Sequence, residues 1–333
     1  MPKVFIVGGE GFIGYHASKL LVERGYEVCS ASLHAHPAPN FTMERLIGDI
    51  FAKTDDEIIG ILSGVDAFVY AAGADERTVP HTPAAKYFYD NNVIPTQRMV
   101  RLAAAAGVEK FVLYSSYYLE FIDKWPDLEM MKEAYTRTRA VQEEVAMLQG
   151  ESSGISVCSL RIPYVFGSTP NKPSVWGLFW DMIQQPVVCA SMGSTACVTA
   201  RQVGQATVGA IERGEHNGRY AVCGGTITFQ EFFSVYAVLS GRADVPVVAL
   251  PAEQLAVAYK LLDDSALKQG LEHGIHMTKV AEIQSRNANL PHMVNADVLE
   301  YEVDDIHAAI RESIQDVVRT KTQSMTCTTQ DSE

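Results

Sequence analysis

The sequence is short of positive charge and has no long apolar run. Its 27 lysines and arginines face 40 aspartates and glutamates, and the net charge of −13 disfavours nucleic acids and anionic membrane surfaces as partners. No apolar stretch reaches the roughly 18 residues of a membrane span. A strand predicted from Lys3 onward leaves no room for a signal peptide, so we expect a cytoplasmic protein.

Cysteine is also scarce, and its spacing excludes the common cysteine frameworks. No Cys-x-x-Cys pair occurs, so the sequence indicates neither a zinc site nor a set of disulfides. Several cysteines lie in apolar, strand-like runs, which favours buried, reduced thiols. The six are Cys29, Cys158, Cys189, Cys197, Cys223 and Cys327. His34 and His36 lie in a proline-containing loop, where solvated histidines are commoner than ligands, and we expect no metal site.

What the sequence does contain is a glycine turn near its amino terminus. Gly8, Gly11 and Gly14 follow the apolar run 4–7, and a helical pattern begins with Phe12 and Ile13. Glycine permits a tight turn and lets backbone N–H groups approach phosphates, while a helix amino terminus adds a partial positive charge. A strand, a glycine turn and a helix in this order predict binding of a dinucleotide.

Strand-like and helical segments alternate through the first half of the chain. Strands are predicted at 26–33, 44–48, 67–71, 110–114 and 155–161, with crossover helices at 92–106 and 135–148, the second ending near Gly150. This alternation predicts an α/β fold, a Rossmann-type doubly wound parallel sheet covered on both faces. A ligand is expected across the carboxyl ends of the strands.

The 333 residues are enough for a dinucleotide-binding domain and a smaller partner. A loop rich in glycine and proline at 167–173 marks the predicted boundary between the two. We expect a dinucleotide-binding domain at 1–167, to which 197–223 returns, and a smaller, mostly helical substrate lobe made of 168–196 and 224–320. The polar segment 321–333 is predicted to be a flexible tail.

Ser116, Tyr135 and Arg139 are the candidates for chemistry. Residues four apart share a helix face, so Tyr135 and Arg139 project together from the helix after the strand that precedes Ser116. A cation beside a tyrosine favours the phenolate, and a serine hydroxyl could bind a carbonyl or alcohol oxygen, which suits hydride transfer. From spacing alone, a surface tyrosine, a solvated arginine and a strand-capping serine are the commoner interpretation.

Several motifs in order resemble those of the extended short-chain dehydrogenases/reductases, over nearly the whole chain to about residue 320. They are Gly8-Gly9-Glu10-Gly11-Phe12-Ile13-Gly14, Gly48-Asp49-Ile50, Ala71-Ala72-Gly73, Asn92-Val93-Ile94-Pro95-Thr96, Tyr114-Ser115-Ser116 and residues 160–167. The segment 217–232, followed by Leu250-Pro251, is similar to the branch that contains dihydroflavonol reductases and related hydroxysteroid dehydrogenases.

The resemblance implies a role for each matching residue. Tyr135 would be the general acid or base, Ser116 would polarise the substrate oxygen, and Arg139 would hold the nicotinamide ribose. Further cofactor contacts are implied for Gly8, Gly11, Phe12, Ile13, Gly14, Asp49, Ile50, Ala71, Ala72, Gly73, Asn92, Pro163 and Val165. The resemblance also implies a homodimer built by helices of the large lobe, including the helix that bears Tyr135.

Two positions depart from the pattern of these enzymes. Arg139 stands where the family has lysine; it keeps the charge but cannot release a proton, which puts proton relay past the ribose in doubt. At the end of the second predicted strand, Ser32 replaces the usual acidic residue that binds the adenosine ribose. Loss of that carboxylate, with Ser32 and His34 as donors to a 2′-phosphate, favours NADP over NAD.

An aromatic segment bears on the substrate. Trp176 and its apolar neighbours form an aromatic cluster, and such clusters more often pack in a core than line a substrate site. If they face the cleft, the substrate is hydrophobic. Tyr117, Tyr118 and Tyr164 could line the same cleft. The sequence therefore predicts a reductase or dehydrogenase for a small, hydrophobic alcohol or ketone. The alternatives are a sugar epimerase or dehydratase, and a cofactor-binding sensor or scaffold that has lost turnover.

Overall fold

Seven parallel strands form the central sheet of the computed structural model, which describes residues 1–170 and 172–330. The strands of all sheets in the described chain are β1 (Lys3–Val7), β2 (Glu27–Ser32), β3 (Glu44–Ile47), β4 (Ala67–Tyr70), β5 (Lys110–Ser116), β6 (Ser156–Ile162), β7 (Tyr164–Phe166), β8 (Val188–Ser191), β9 (Ser194–Thr199), β10 (Arg219–Ala221), β11 (Gly225–Thr228), β12 (Val247–Leu250) and β13 (Asn287–Ala288). The order across the central sheet is β10-β6-β5-β4-β1-β2-β3, and each neighbouring pair is parallel.

Helices cover both faces of this sheet. The helices of the described chain are α1 (Phe12–Glu23), α2 (Asp55–Leu62), α3 (Ala84–Phe88), α4 (Ile94–Ala105), α5 (Ala134–Ser153), α6 (Trp180–Ile183), α7 (Ala200–Arg213), α8 (Phe229–Leu239), α9 (Ala252–Lys268), α10 (Met277–Gln284), α11 (Ala296–Leu299) and α12 (Ile306–Gln330). α1 and α7 pack together on one face, and α2, α4 and α5 pack on the other.

Strand β1 shows why the predicted apolar run is continuous. Val4 and Ile6 belong to the apolar cluster beneath α1 and α7, whereas Phe5 and Val7 belong to the cluster beneath α2, α4 and α5. Successive side chains of a strand point to opposite faces, so a strand buried on both faces needs apolar residues at every position. The predicted doubly wound α/β fold is confirmed.

The predicted end of the helix bearing Tyr135 was wrong. α5 continues past Gly150 to Ser153 and ends at Gly154, whose φ of +74° suits a glycine cap. A Cβ at Gly150 would lie 2.5 Å from Cγ2 of Val157 in β6, so this glycine serves close packing of helix on sheet. A glycine inside a helix and a glycine that ends one look alike in the sequence.

Glu143 fastens α5 to the sheet. It is 2% exposed and accepts a hydrogen bond from the Ser115 hydroxyl at 2.7 Å. Arg161 of β6 and Arg219 of β10 form ion pairs with the same carboxylate at 2.7 and 2.9 Å. A buried carboxylate is stable only when it is paired in this way, and the network fixes the helix from which Tyr135 and Arg139 project.

The carboxyl-terminal half adds smaller sheets and further helices. β7, β9, β11 and β13 form a four-stranded sheet, and β8 pairs with β12. From this half, α7 packs against α1 and β10 pairs with β6, so residues 200–221 join the large lobe. α12 extends over most of the segment predicted as a flexible tail, and residues 331–333 lie outside the described part.

Within the described residues, no helix is both long enough and apolar enough to span a bilayer, and no group of three or more potential ligands could hold a metal ion. Cys29, Cys158, Cys197 and Cys223 are buried as free thiols. Cys189 is exposed, contrary to the general expectation, because it lies on the outward face of the two-stranded β8–β12 pair. The side chain of Cys327 lies outside the described part.

Candidate active site

The glycine turn is the first wall of a cavity of about 620 Å³ at the carboxyl ends of the strands. Gly8 has a φ of +84°, and its carbonyl accepts the Gly11 N–H at 2.8 Å. A Cβ at Gly14 would lie 2.1 Å from the Gly8 oxygen, so a side chain there would close the turn. Gly11 begins α1 without a side-chain cap, which leaves the first-turn N–H groups for an external acceptor. This cradle fits a diphosphate.

The loop after β4 forms the floor beside this turn. Ala71, Ala72 and Gly73 line the cavity. Asn92 is fully buried and holds the loop from behind: its Oδ1 accepts the Ala74 N–H at 2.8 Å, and its Nδ2 donates to the Ala74 carbonyl at 3.0 Å. Asn92, predicted to contact the cofactor, is thus engaged in fixing the loop.

Ser116, Tyr135 and Arg139 meet in the same cavity. All three are buried, at 6%, 5% and 7% exposure, so they are not the solvated residues that spacing alone favours. The Arg139 guanidinium carbon lies 5.9 Å from the centre of the Tyr135 ring. The Ser116 side chain lowers the pKa of Tyr135, so the two side chains lie near each other. Pro163 and Val165 line the cavity beside them.

Arg139 has donors left over for a ligand. Its Nη2 donates to the Tyr114 carbonyl at 2.5 Å, which fixes the side chain. Its buried Nε has no hydrogen-bond partner among the described residues. A buried donor without a partner is costly, so the guanidinium fits an acceptor such as a ribose hydroxyl.

Burial controls the pKa of Tyr135. The expectation that Arg139 would ease ionisation of the phenol was incomplete. Burial raises the pKa of Tyr135 more than Arg139 lowers it, and the charges of Glu76 and Asp75 raise it further. The net pKa therefore lies above the ordinary value of a tyrosine. Removing the phenol from water disfavours its charged form more than one cation favours it.

The residues predicted to hold the adenosine half of the cofactor lie at the ends of β2 and β3, outside the large cavity. Ser32 is buried, with its hydroxyl 3.5 Å from that of Ser30, and His34 is exposed. Asp49 is exposed and accepts the Phe51 N–H at 2.9 Å, and Ile50 behind it is buried. Sequence analysis missed Arg45, whose guanidinium pairs with the buried Glu10 at 2.6 Å.

The far end of the cavity is aromatic. Trp176 is both packing and wall: its ring stacks on Phe166 at 4.5 Å, its Nε1 donates to the Val165 carbonyl at 3.1 Å, and it lines the cavity. Tyr117, Tyr118 and Tyr164 line it too. Phe179, a neighbour of Trp176 in the aromatic segment, lines it as well. Apolar lining residues that the sequence did not single out are Leu178, Ile227, Phe229, Phe232, Phe233, Ile275, Met277 and Val280.

Few charges reach this cavity. Its described lining contains two strong cations, Arg77 and Arg139, and Arg77 is paired with Asp75. Glu76 and His273 also line it, and sequence analysis missed both. Glu76 carried a signal, since it lies in the polar loop directly after a parallel strand. His273 comes from the loop after α9, and no pattern in the sequence indicates that this loop folds back to the cavity.

The chain belongs to the NAD dependent epimerase/dehydratase family, whose model matches residues 4–195. The match runs from β1 into β9 and confirms the resemblance to extended short-chain dehydrogenases/reductases. The family is one of NAD-dependent enzymes.

Two curated relatives differ in the chemistry their names describe. A 3-beta-hydroxysteroid dehydrogenase of Mycolicibacterium neoaurum is 26% identical over 183 residues, 50% of this chain and 48% of that protein. A UDP-glucose 4-epimerase of Rhizobium meliloti is 30% identical over 169 residues, 48% of this chain and 50% of that protein. The chain thus spans about half the length of the curated relatives it matches.

Solved structures share the whole fold. The crystal structure of UDP-N-acetylglucosamine 4-epimerase from Bacillus cereus has a TM-score of 0.64 and 16% identity, and the alignment covers 96% of this chain and 97% of that one. At this identity the likeness establishes the architecture of both lobes and leaves the substrate open.

Proposed function

We propose that the protein is a nicotinamide-dependent dehydrogenase or reductase for an uncharged, hydrophobic alcohol or ketone. One observation carries the proposal: a single cavity runs from the glycine turn, past Ser116, Tyr135 and Arg139, to a wall of aromatic side chains. The turn suits a diphosphate, the middle suits proton transfer, and the aromatic end suits an apolar molecule.

In this proposal each side chain has one task. Tyr135 takes the proton of the alcohol during oxidation and returns it during reduction. Ser116 donates to, or accepts from, the substrate oxygen, because its hydroxyl lies beside that of Tyr135. Arg139 holds the ribose with its guanidinium, which lines the cavity. A bound nicotinamide supplies the hydride acceptor in oxidation and the hydride donor in reduction.

The charges of the cavity support an uncharged substrate. A nucleotide sugar carries a diphosphate that normally needs free arginines or lysines. Of the two lining arginines, Arg77 is paired with Asp75 and Arg139 is fixed on the Tyr114 carbonyl beside Tyr135. Glu76 would repel an anion further. A 3-hydroxysteroid-like alcohol, the class named for the Mycolicibacterium relative, has the apolar body that this wall suits.

We propose NAD as the preferred dinucleotide. NADP, the choice favoured by the missing carboxylate at Ser32, needs a free cation for its 2′-phosphate. Arg45, which lies near the end of β2, is held by Glu10 and by the His36 carbonyl. The Ser32 hydroxyl can accept from a 2′-hydroxyl, which NAD carries.

The experiment is a turnover assay with purified full-length protein. NAD or NADP would be mixed with dehydroepiandrosterone, 1-phenylethanol or cyclohexanol, and reduced nicotinamide followed by absorbance. Formation of the reduced cofactor with an apolar alcohol supports the proposal. Interconversion of UDP-glucose and UDP-galactose without net reduction would favour the epimerase alternative, for which the Rhizobium relative speaks. Tight cofactor binding with no turnover of either substrate class would favour a sensor.

A further inference from the structure

Glu76 lines the same cavity as Tyr135, from the loop after β4. The negative charge of its carboxylate raises the pKa of Tyr135, so the two groups lie near each other. Tyr117, Tyr118 and Tyr164 lie close enough for the charge of Glu76 to raise the pKa of each. The carboxylate thus lies among the phenols of the cavity.

Hydrogen bonds and an ion pair hold the residues on either side of Glu76. Both backbone polar groups of Ala74 are bonded to the Asn92 side chain, and Asp75 accepts the Thr78 N–H through its carbonyl at 3.1 Å. The adjacent Asp75 and Arg77 pair with each other. No ion pair in the described part of the chain includes Glu76, so its oxygens remain available to the cavity.

Arg139 creates the need for such a group. A tyrosine that receives a proton in each oxidation must pass one on before the next cycle. Arginine keeps its proton at any working pH, so Arg139 can hold a ribose but cannot carry the proton away. The cavity must therefore supply another acceptor next to Tyr135.

We propose that Glu76 is the proton acceptor that serves Tyr135, a positioning and relay role that rests on the proposed function. Before oxidation, the Tyr135 hydroxyl gives its proton to the Glu76 carboxylate, which releases it to water in the cavity. The carbinol C–H then leaves as a hydride to the nicotinamide, the C=O bond forms, and the hydroxyl proton goes to the Tyr135 oxygen. One alcohol and one oxidised cofactor yield one ketone, one reduced cofactor and one proton.

The protonation state of Glu76 suits a relay. Burial raises its pKa above the ordinary range of a glutamate, and the neighbouring Asp75 raises it further. Arg77 and the Tyr135 hydroxyl act in the opposite direction. A carboxyl group with a raised pKa accepts and releases protons more readily near neutral pH than an ordinary glutamate does.

The test compares Glu76→Gln and Glu76→Asp with Glu109→Gln, an exposed glutamate just before β5 at the opposite edge of the sheet. The assay is NAD reduction with an apolar alcohol that the wild type oxidises, measured across pH. We expect Glu76→Gln to lower kcat about 100-fold and to remove the acidic inflection of the profile. Glu76→Asp should recover part of the rate, and Glu109→Gln should behave as the wild type.

Two further variants test whether the loss of rate and of the inflection comes from Glu76. His273 also lines the cavity, so the inflection must persist in His273→Gln if it belongs to Glu76. In an Arg139→Lys background the lysine can carry the proton by a second route. Glu76→Gln should therefore lower kcat about tenfold in that background instead of about 100-fold. Calorimetric NAD affinity and Tm, measured for each variant, separate proton transfer from lost binding or folding.

The outcomes are distinct. An active wild type whose rate and pH profile are the same in Glu76→Gln overturns the relay and leaves the proposed function intact. A rate loss in Glu76→Gln with an unchanged inflection, or one equal in both Arg139 backgrounds, also overturns the relay. A wild type that binds NAD but oxidises no alcohol overturns the proposed function, and the relay with it.

Discussion

The Glu10 carboxylate accepts two hydrogen bonds from the Arg45 guanidinium, at 2.6 and 2.8 Å. The pair ties the glycine turn to β3 and neutralises an arginine that lies near the end of β2. We therefore expect NAD to bind about tenfold more tightly than NADP, a difference of about 1.4 kcal/mol, in isothermal titration calorimetry. Glu10→Gln should free the Arg45 guanidinium and reduce the difference in affinity between NAD and NADP. Glu23→Gln, on the exposed end of α1, should leave that difference unchanged. Tighter binding of NADP to the wild type would contradict this.

Replacement of Tyr135 by phenylalanine removes only the hydroxyl. Because that hydroxyl is the proposed acid and base, kcat should fall about 10²- to 10⁴-fold. NAD affinity should stay nearly the same, since the ring still packs edge-on against Phe88. Steady-state kinetics and calorimetry measure the two effects, and Tyr89→Phe, at an exposed tyrosine, is the matched control. Retention of the wild-type rate would remove Tyr135 from the mechanism.

The raised pKa of Tyr135 sets the direction of the pH dependence. Oxidation needs the deprotonated phenol, so kcat/KM for the alcohol should rise with pH through the alkaline range, while ketone reduction, which needs the protonated phenol, should fall there. Arg139 lowers this pKa, so Arg139→Gln should raise it further and move both curves to higher pH. Initial rates in both directions, at saturating cofactor, measure the shift. Curves that move to lower pH would be incompatible with the electrostatics of the site.

Gly14→Ala should abolish dinucleotide binding. The added Cβ would lie 2.1 Å from the Gly8 carbonyl oxygen, so the turn that holds the diphosphate must open. Gly60→Ala is the control, because a Cβ there meets nothing within 4 Å and lies inside α2, where alanine should stabilise the fold by about 0.5–1 kcal/mol. NAD titration and thermal unfolding separate the two. Normal NAD binding by Gly14→Ala would exclude the turn as the diphosphate site.

Local patterns were sufficient to predict the large sheet. The apolar runs of β1, β4 and β5, and the helices between them, follow from periodicity and from residues a few positions apart. The same is true of the pairing of Tyr135 with Arg139, which depends only on helical geometry. The structure brings Ser116 to the same cavity, and the chemical roles of these residues, like the homodimer, stay predictions.

The features that could not be predicted from the sequence depend on contacts between distant segments. Gly150 lies inside a helix because Val157 packs against it, and Arg45 is neutralised by a glutamate 35 residues earlier in the chain. The pKa of Tyr135 depends on how completely its surroundings exclude water, which no spacing reveals. In the carboxyl-terminal half, strands such as β9 and β13 pair across long intervals, and their short segments carry little periodic signal.

The proton-transfer groups and the aromatic wall of the cavity come from different parts of the chain. The groups proposed for proton transfer come from β5, α5 and the loop after β4, whereas most of the aromatic wall comes from the chain after residue 163. Mutations in the wall can therefore reshape what is accepted without disturbing how it reacts. Such a division of labour allows one ancestral scaffold to diversify among alcohols of different size, and it makes the wall the natural starting point for engineering new specificity.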